Sequence, residues 1–459
     1  MKYPRPIVQC DMEVTAESYD QGADVGSGYS VKASFKLIDR WLDKLVQLAG
    51  SAPIFSLLMI GLIVWAVAGI WHGNSETWIA AISDIQALIC YIYDSVLMRQ
   101  LFRKYHVEHD AMLQIQSRCG SHRRMIAYLK GTLGEHQIHQ LAMHVNEIHS
   151  SSSSISKKDD PFVIDSDLRT PGYFARYIIS MANTCWHIIS VGGYWLCIFI
   201  WLGFACLREC YAAYNNTYLD AIFKLDTTIE IKLRHLTRDT LPNSTVIKCA
   251  PKENFLQRAV FYYADIVGAL VGIMLLVVVL LAWIAVGPVF KYNQSWWLLI
   301  GTYAGLVGLF DSFVLRNVQG KISRYIDEDF DILDESTKDI LDELYIFDSS
   351  ASIEHQSITL SLSAWMDGVS SNVIMVFAGF LLTVGCLIAS SALKWSLTGQ
   401  LISNVPPNII ETLLMLILIT GQNDAEAKSR ARLADIYSQR QRLMLFVQHA
   451  KRALDKSKD

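Results

Sequence analysis

Apolar residues along this chain gather into runs of roughly 20, the length at which an α-helix crosses the hydrocarbon of a bilayer. The runs fall at about 53–72, 78–98, 177–207, 262–287, 296–315, 371–392 and 408–421, so about seven transmembrane helices are expected, the last one short. The pattern also repeats. The stretch Leu62–Trp78 returns at Leu280–Trp297, with Trp65 matching Trp283, Gly69 matching Gly287 and Trp78 matching Trp296. The helix that follows repeats as well: Asp94-Ser95-Val96-Leu97-Met98-Arg99-Gln100 reappears as Asp311-Ser312-Phe313-Val314-Leu315-Arg316-Asn317. A whole helical hairpin is thus duplicated, and duplicated hairpins with polar groups at membrane depth point to a pathway between repeats.

The distribution of cations orients these hairpins. Of the 40 Lys and Arg residues, the turns inside the hairpins hold only Lys291 and Lys394. By the positive-inside rule those turns face outward and both termini face the cytosol. The hairpins then share one orientation, as parallel repeats about an axis near the membrane normal. The expected fold class is therefore an all-α polytopic membrane protein of tandem parallel two-helix hairpins. Hydrophobic residues make up 52% of the chain and charged residues 18%, which leaves room for sizeable aqueous segments beside the spans. The nine Cys show no paired spacing, and Cys90, Cys197, Cys206 and Cys386 lie inside apolar runs, so they read as reduced, buried thiols. Met1–Gly50 is polar and carries no pattern of a cleaved signal peptide.

These boundaries divide the chain into a cytosolic N-terminal segment (1–50), a hairpin repeat (51–100), a helical, His-containing cytosolic segment ending in a Ser-rich linker (101–174), one spanning helix of an incomplete repeat (175–208) and a polar segment (209–258). A second hairpin (259–317), an acidic cytosolic segment (318–365), a third hairpin (366–423) and a cytosolic tail (424–459) follow. The tail has mixed charges at helical spacing and little Gly or Pro, which predicts one extended amphipathic helix. The segment 209–258 is the awkward one. Arg208–Arg258 carries eight Lys and Arg and belongs in the cytosol, yet an unbroken helix over 177–207 would deliver its start outside.

A divalent cation enters hydrocarbon only if oxygen and similar donors replace its water, so intramembrane acids are functional candidates by default. Asp84, Gln86, Tyr91 and Asp94 share the second helix of the first hairpin, with Gln86 and Asp94 two turns apart on nearly one face. Tyr303 and Asp311 repeat that spacing in the later hairpin. In the last hairpin Asn408, Glu411 and Met415 lie about one turn apart from one to the next. Such a set, mostly oxygen with one thioether, suits Fe(II), Mn(II) or Zn(II) without choosing among them. Structural readings stand beside the functional one: Asp94 with Arg99, and Asp311 with Arg316, also fit ion pairs near the cytosolic surface. Trp65, Trp78, Trp283 and Trp296 fit packing and the interfacial belt. The lone His187 fits a helix contact.

A second cluster lies in the cytosolic segment, where seven of the 12 His fall between His106 and His149. His136 and His139 are three apart and could form a two-imidazole clip with His144 nearby, although no third ligand at definite spacing completes a site and a solvated helical face is the better reading. No Gly-x-Ser-x-Gly elbow, His-Glu-x-x-His helix or phosphate-binding Gly-Lys-Ser/Thr loop is present, so no enzymatic activity and no ATP-hydrolysing module is expected. A multi-helix cation channel or chemoreceptor is the competing class, but neither requires duplicated parallel hairpins.

Several motifs carry a resemblance. Trp41-Leu42-Asp43-Lys44-Leu45-Val46, the Trp65, Gly69 and Thr77-Trp78 hairpin, and Asp84, Gln86, Tyr91-Ile92-Tyr93-Asp94 and Leu97-Met98-Arg99-Gln100 are similar to the fungal low-affinity iron permease family. Tyr262-Tyr263-Ala264-Asp265-Ile266-Val267-Gly268, Ile300-Gly301-Thr302-Tyr303-Ala304-Gly305-Leu306-Val307-Gly308 and Val314-Leu315-Arg316-Asn317 resemble its later repeat. The last hairpin, with Asn404 and Gly421-Gln422-Asn423-Asp424, resembles the short two-helix prokaryotic members. The match runs from about Ser34 to Leu443. It implies a multi-pass plasma-membrane permease for ferrous iron, with zinc, copper and manganese as further substrates. It also implies no cofactor beyond the transported divalent metal and no nucleic-acid partner, and it leaves a homo-oligomer open. One departure stands out: the repeat starting at Ala175 lacks its second helix, as a natural short form or an error in the gene model would both produce.

Overall fold

The computed structural model describes residues 12–16, 60, 61, 64, 76–152, 194–248, 253–346, 368, 369 and 371–456. In chain order the elements are β1 (Met12–Val14), α1 (Glu76–Leu133), α2 (Glu135–Ser152), α3 (Tyr194–Thr237), β2 (Val246–Lys248), α4 (Phe255–Gly268), α5 (Leu270–Val286), α6 (Gln294–Glu343), α7 (Val373–Ala392) and α8 (Leu397–Lys456). Among the described residues the fold is helical apart from one ribbon, in which β1 pairs antiparallel with β2 with Val14 opposite Val246. Most of the run near 53–72, the first part of the 177–207 run, His187, Trp65 and most of the Ser-rich linker lie outside the described residues.

Among the described residues two helices are long and apolar enough to cross a membrane, Ser295–Glu343 and Val373–Ala392, and Phe255–Gly268 with Val271–Val286 makes a third if the bent pair is one span. The expected continuous helix over 262–287 is instead broken. It bends by 60° near Ala269, whose extended backbone ends α4. Within α6, 78% of the apolar window is buried, against 22% in α7. A helix apolar all round and still exposed needs a lipid environment. On α5 (Val271, Met274, Leu275, Leu281) and α7 (Ile374, Phe377, Phe380, Ile388) the exposed side chains are of that kind, so these helices form the outer layer around α6.

The four longest helices, α1, α3, α6 and α8, run from an apolar N-terminal part straight into a polar part without a break. Caps and sequence explain where they start: Asn293 accepts a hydrogen bond from the Trp296 backbone N–H at 3.1 Å and so satisfies one orphan donor of α6. Beyond the apolar parts the four helices pack side by side and all point the same way. Cys119 and Arg123 of α1 meet Ser336 and Glu343 of α6, while Asp327 and Asp334 of α6 meet Arg432 and Gln439 of α8. Asn215 and Asp226 of α3 meet Glu426 and Arg440 of α8. Their shared core includes Ile115, Met125, Ile222, Ile229, Phe330 and Leu443.

This parallel bundle bears on the awkward segment. The half of α3 after Asn215 lies in one core with the corresponding halves of α1, α6 and α8, on one side of the apolar layer. Asn243, just past α3, is buried and hydrogen-bonded to Arg234, Glu230 and the Ala16 carbonyl. Whatever returns the chain to the start of α3 lies outside the described residues.

The hairpins α5–α6 and α7–α8 close on the same turn. In both, a Lys and the aromatic residue after it adopt left-handed backbone: Lys291 and Tyr292 at φ 52° and 51°, Lys394 and Trp395 at φ 53° and 52°. Tyr292 N donates to Gly287 O and Trp395 N to Ser390 O, five residues back in each case, as in a Schellman ending. At the first of these turns Trp283 and Trp296 stack at 4.1 Å, and each indole N–H donates to the other's carbonyl.

Candidate functional site

Three acids from three helices converge where the apolar halves of the bundle meet. Asp94 of α1 and Asp311 of α6 are fully buried, and Glu411 of α8 is 1% exposed. Asp94 lies within electrostatic range of both Glu411 and Asp311. Asp94 has only the Ser312 side chain beside it as a donor, too poorly aligned to satisfy either oxygen, and Asp311 Oδ2 and Glu411 Oε1 have no hydrogen-bond partner among the described residues. Leaving such groups unsatisfied is costly, so buried acids without donors mark a place where a cation or a proton belongs.

Glycine spacing makes room for one side of this cluster. Gly305 and Gly308 of α6 face Asn408 and Glu411 of α8, each pair three residues apart, so the two stripes run in register. A Cβ at Gly308 would stand 2.5 Å from Glu411 Oε1, and one at Gly305 would stand 2.6 Å from Asn408 Oδ1. Both helices can approach only because these positions carry no side chain. Asn408 Nδ2 donates to Asn404 Oδ1 at 2.8 Å, one turn earlier on α8. Within that turn Pro406 and Pro407 cannot donate backbone hydrogen bonds, which leaves the carbonyls of Ile402 and Ser403 without their usual i+4 partners. Freed carbonyls inside a membrane layer are ready cation ligands.

On the other side Tyr263 of α4 donates from its hydroxyl to Asp311 Oδ1 at 2.6 Å. Arg316 turns away and donates to Gln319 Oε1 at 3.0 Å, so the hydrogen bond on Asp311 comes from Tyr263. The break at Ala269 separates α4 from α5 and leaves Tyr263 on the separate helix that packs beside the acids. One layer toward the turns, the hydroxyls of Tyr91 and Tyr303 approach to 3.4 Å with their rings edge to face at 5.8 Å.

The sequence candidates distribute unevenly. Tyr91, Asp94, Tyr303, Asp311, Asn408 and Glu411 come together in this region. Asp84 and Gln86 lie on the same helix as Asp94, and Met415 lies one turn beyond Glu411, but their side chains are outside the described residues. His136, His139 and His144 on α2 do not share a site: His136 is exposed, His139 sits against the Tyr345 ring at 5.4 Å, and His144 meets His449 of α8 at 5.0 Å. Tyr263, Gly305 and Gly308 were not among the candidates, although the motifs that contain them were visible. Among the described residues no three His, Cys, Asp or Glu side chains are close enough to hold an ion as they stand. The acids form a loose cluster in mutual electrostatic range.

Comparison with known proteins gives the chain its relatives. The model of the family described as low affinity iron permease matches residues 256–354 and 359–453, and each segment contains one of the two described hairpins. The low-affinity iron/zinc ion transport protein fet4 of Schizosaccharomyces pombe is 31% identical over 88% of this chain and 73% of its own length. The low-affinity Fe(2+) transport protein of Saccharomyces cerevisiae is 26% identical over 89% of this chain and 83% of its own. No solved structure matches the chain significantly.

Proposed function

Since the chain belongs to the low-affinity iron permease family, we propose that it is a plasma-membrane permease that admits ferrous iron and zinc, and with lower selectivity copper and manganese, without hydrolysing ATP. The observation that carries this reading is the convergence of Asp94, Asp311 and Glu411, buried and short of donors, between helices of a membrane protein. Their oxygens, with those of Asn408, Tyr91, Tyr303 and the carbonyls freed by Pro406 and Pro407, can exchange for the water of a divalent ion one ligand at a time. A hard and borderline donor set of this kind separates first-row divalent ions poorly, in keeping with a broad, low-affinity carrier. Asp84, Gln86 and Met415 stay candidates for the same pathway on their sequence spacing alone.

Entry needs no chemical fuel. A membrane potential negative inside favours cation entry by about 2.3 kcal/mol per charge per 100 mV, so a divalent ion gains about twice that. The shared direction of α1, α3, α6 and α8 and the matching turns of the two hairpins support an arrangement of parallel repeats around the pathway. Radiolabelled iron uptake in a host lacking its own iron transporters tests the reading. Saturable uptake above the empty-vector level, inhibited by zinc, copper and manganese, is expected. No uptake by a protein that reaches the cell surface overturns it.

A further inference from the structure

A cavity of about 600 Å³ opens beside the acids, between α4, α6, α7 and the turn that joins α7 to α8. Tyr263 and Phe310 line its inner end, next to Asp311, and Phe290 and Trp395 line its outer end at the two hairpin turns. It follows α6 from Ser295 to Phe310, about 22 Å at 1.5 Å per residue. That is longer than half the thickness of the hydrocarbon layer, about 15 Å.

The walls are mainly apolar and aromatic. Most polar groups on them are turned to partners of their own: Tyr263 to Asp311, Tyr303 to Tyr91, Thr383 to the Gly379 carbonyl and Gln400 to the Trp395 carbonyl. A cation finds little there to replace its water, so the cavity is no branch of a metal path. Its rim faces the bilayer: Leu299, Phe380 and Leu387 are 52%, 49% and 39% exposed, on the same apolar surface as Phe377 and Ile388. What a bilayer offers to a long apolar slot is a hydrocarbon chain. At the outer end stand two cations, since Lys291 directly follows Phe290 and Lys394 directly precedes Trp395. Both lysines are exposed, and neither is ion-paired among the described residues.

We propose that this cavity binds one anionic phospholipid from the leaflet on the side of the turns, with an acyl chain along α6 and the phosphate between Lys291 and Lys394. The proposal goes beyond the permease reading and needs only that α6 and α7 lie in a bilayer. Two ammoniums facing one phosphate favour a headgroup that carries no cation of its own. An apolar, aromatic lining with its few charges at one end is the usual make-up of a site for an amphiphile. Thr302 tells a chain from other occupants. Its side chain lies on the wall, the residue is 8% exposed, and Oγ1 has no hydrogen-bond partner among the described residues. An acyl chain leaves that hydroxyl as it is, whereas a sterol hydroxyl or a fatty-acid carboxylate lodged at this depth would bond to it.

The probe is phosphatidylglycerol with a diazirine at the end of one acyl chain, present as a trace in phosphatidylcholine vesicles that hold the full-length protein. After irradiation, peptide mass spectrometry should find Leu306, Val307 and Phe310 labelled severalfold more than Phe377 and Leu381. Those two are 55% and 54% exposed on α7. They lie at similar depth, about 16–22 Å from the turn end of that helix. Equal labelling of both sets reports only lipid at the surface and overturns the proposal. Lys291→Gln/Lys394→Gln, confined to exposed turns, should lower the cavity label severalfold and leave the α7 label unchanged. A cavity label that survives the loss of both ammoniums overturns it. Thr302→Val should keep or raise the cavity label, and a severalfold loss would reveal a ligand bonded to that hydroxyl and overturn the acyl-chain assignment. Excess unlabelled phosphatidylglycerol should compete the cavity label away, whereas competition by excess sterol or fatty acid in its place overturns the proposal.

Discussion

Glu411 lies against Gly308 so closely that a single added methyl group would meet its carboxylate at 2.5 Å. The position of an intramembrane acid on α8 is thus set by the lack of a side chain on α6. Gly308→Ala should push Glu411 off its place and lower iron uptake about tenfold, a loss of about 1.4 kcal/mol, with normal surface expression. Gly385→Ala, on α7, where an added methyl group meets nothing within 4 Å, serves as the control. Uptake by Gly308→Ala equal to that of the control would show that the acid tolerates displacement.

Neutralising the acids should separate stability from transport. Asp94→Asn and Glu411→Gln each remove a buried charge that has too few donors, so each should raise the unfolding temperature or leave it unchanged while abolishing uptake. The gain is expected to be about 1 kcal/mol. Asp84→Asn should also abolish uptake. A purely structural acid would behave in the opposite way, with stability lost and transport kept in proportion to the folded protein. Thermal unfolding in detergent and uptake in cells, measured on the same variants, decide between them.

The extramembrane bundle should weaken in acid because of His122. This imidazole is fully buried on α1, and burial together with the nearby Arg440, Arg118 and Arg234 holds it well below the ordinary histidine range. The unfolded chain therefore binds a proton near pH 6.5 that the folded chain refuses. His122 has no effect above that pH, and below it stability falls by up to about 1.4 kcal/mol per pH unit until the folded value is reached. Unfolding temperatures at pH 7.5 and 5.5 should differ less in His122→Gln than in the wild type.

Arg440 and Asp226 test what a buried ion pair contributes here. Both are fully buried and 2.9 Å apart, and burial pushes the Asp226 carboxyl above the ordinary range despite Arg440 and Arg118. Arg440→Met alone strands the acid and should cost about 3–5 kcal/mol. Adding Asp226→Leu should recover most of that loss, as measured by denaturant unfolding. A double variant no more stable than the single one would mean that Arg118 and Glu230 depend on the pair as well.

Much of this architecture is legible in the chain because hydrophobicity and charge act locally. Runs of apolar residues mark where helix meets lipid, and the isolated Lys291 and Lys394 mark the two turns that share one backbone geometry. The helix break near Ala269 is not legible in the same way. Leu270–Val286 reads as a continuation of the apolar residues before it, and no proline announces the bend. Tyr263 was missed for that reason, since its partnership with Asp311 depends on the separate path of α4. The glycines at 305 and 308 stood within a recognised motif, yet only the facing helix gives them meaning. The histidines show the reverse case, where close spacing on α2 suggested one site and tertiary packing sent His139 and His144 to different neighbours.

The parallel course of α1, α3, α6 and α8 also dictates how the molecule is assembled. Neighbours that point the same way cannot be joined by a tight turn, so every contact in the ring links distant parts of the chain: Arg123 reaches Glu343 across 220 residues and Asn215 reaches Glu426 across 211. Such pairings form slowly, since a long loop has to close before any contact repays it. α8 is the last of the four to leave the ribosome, and until it arrives Ile222 and Phe330 lack part of the apolar cover that Leu433 and Leu443 supply. A chain halted before Leu397 would carry finished crossings and an unsealed, adhesive bundle at the membrane surface, the kind of intermediate that chaperones hold and proteases clear. Synthesis of the final helix is therefore the step that commits the protein to its native form.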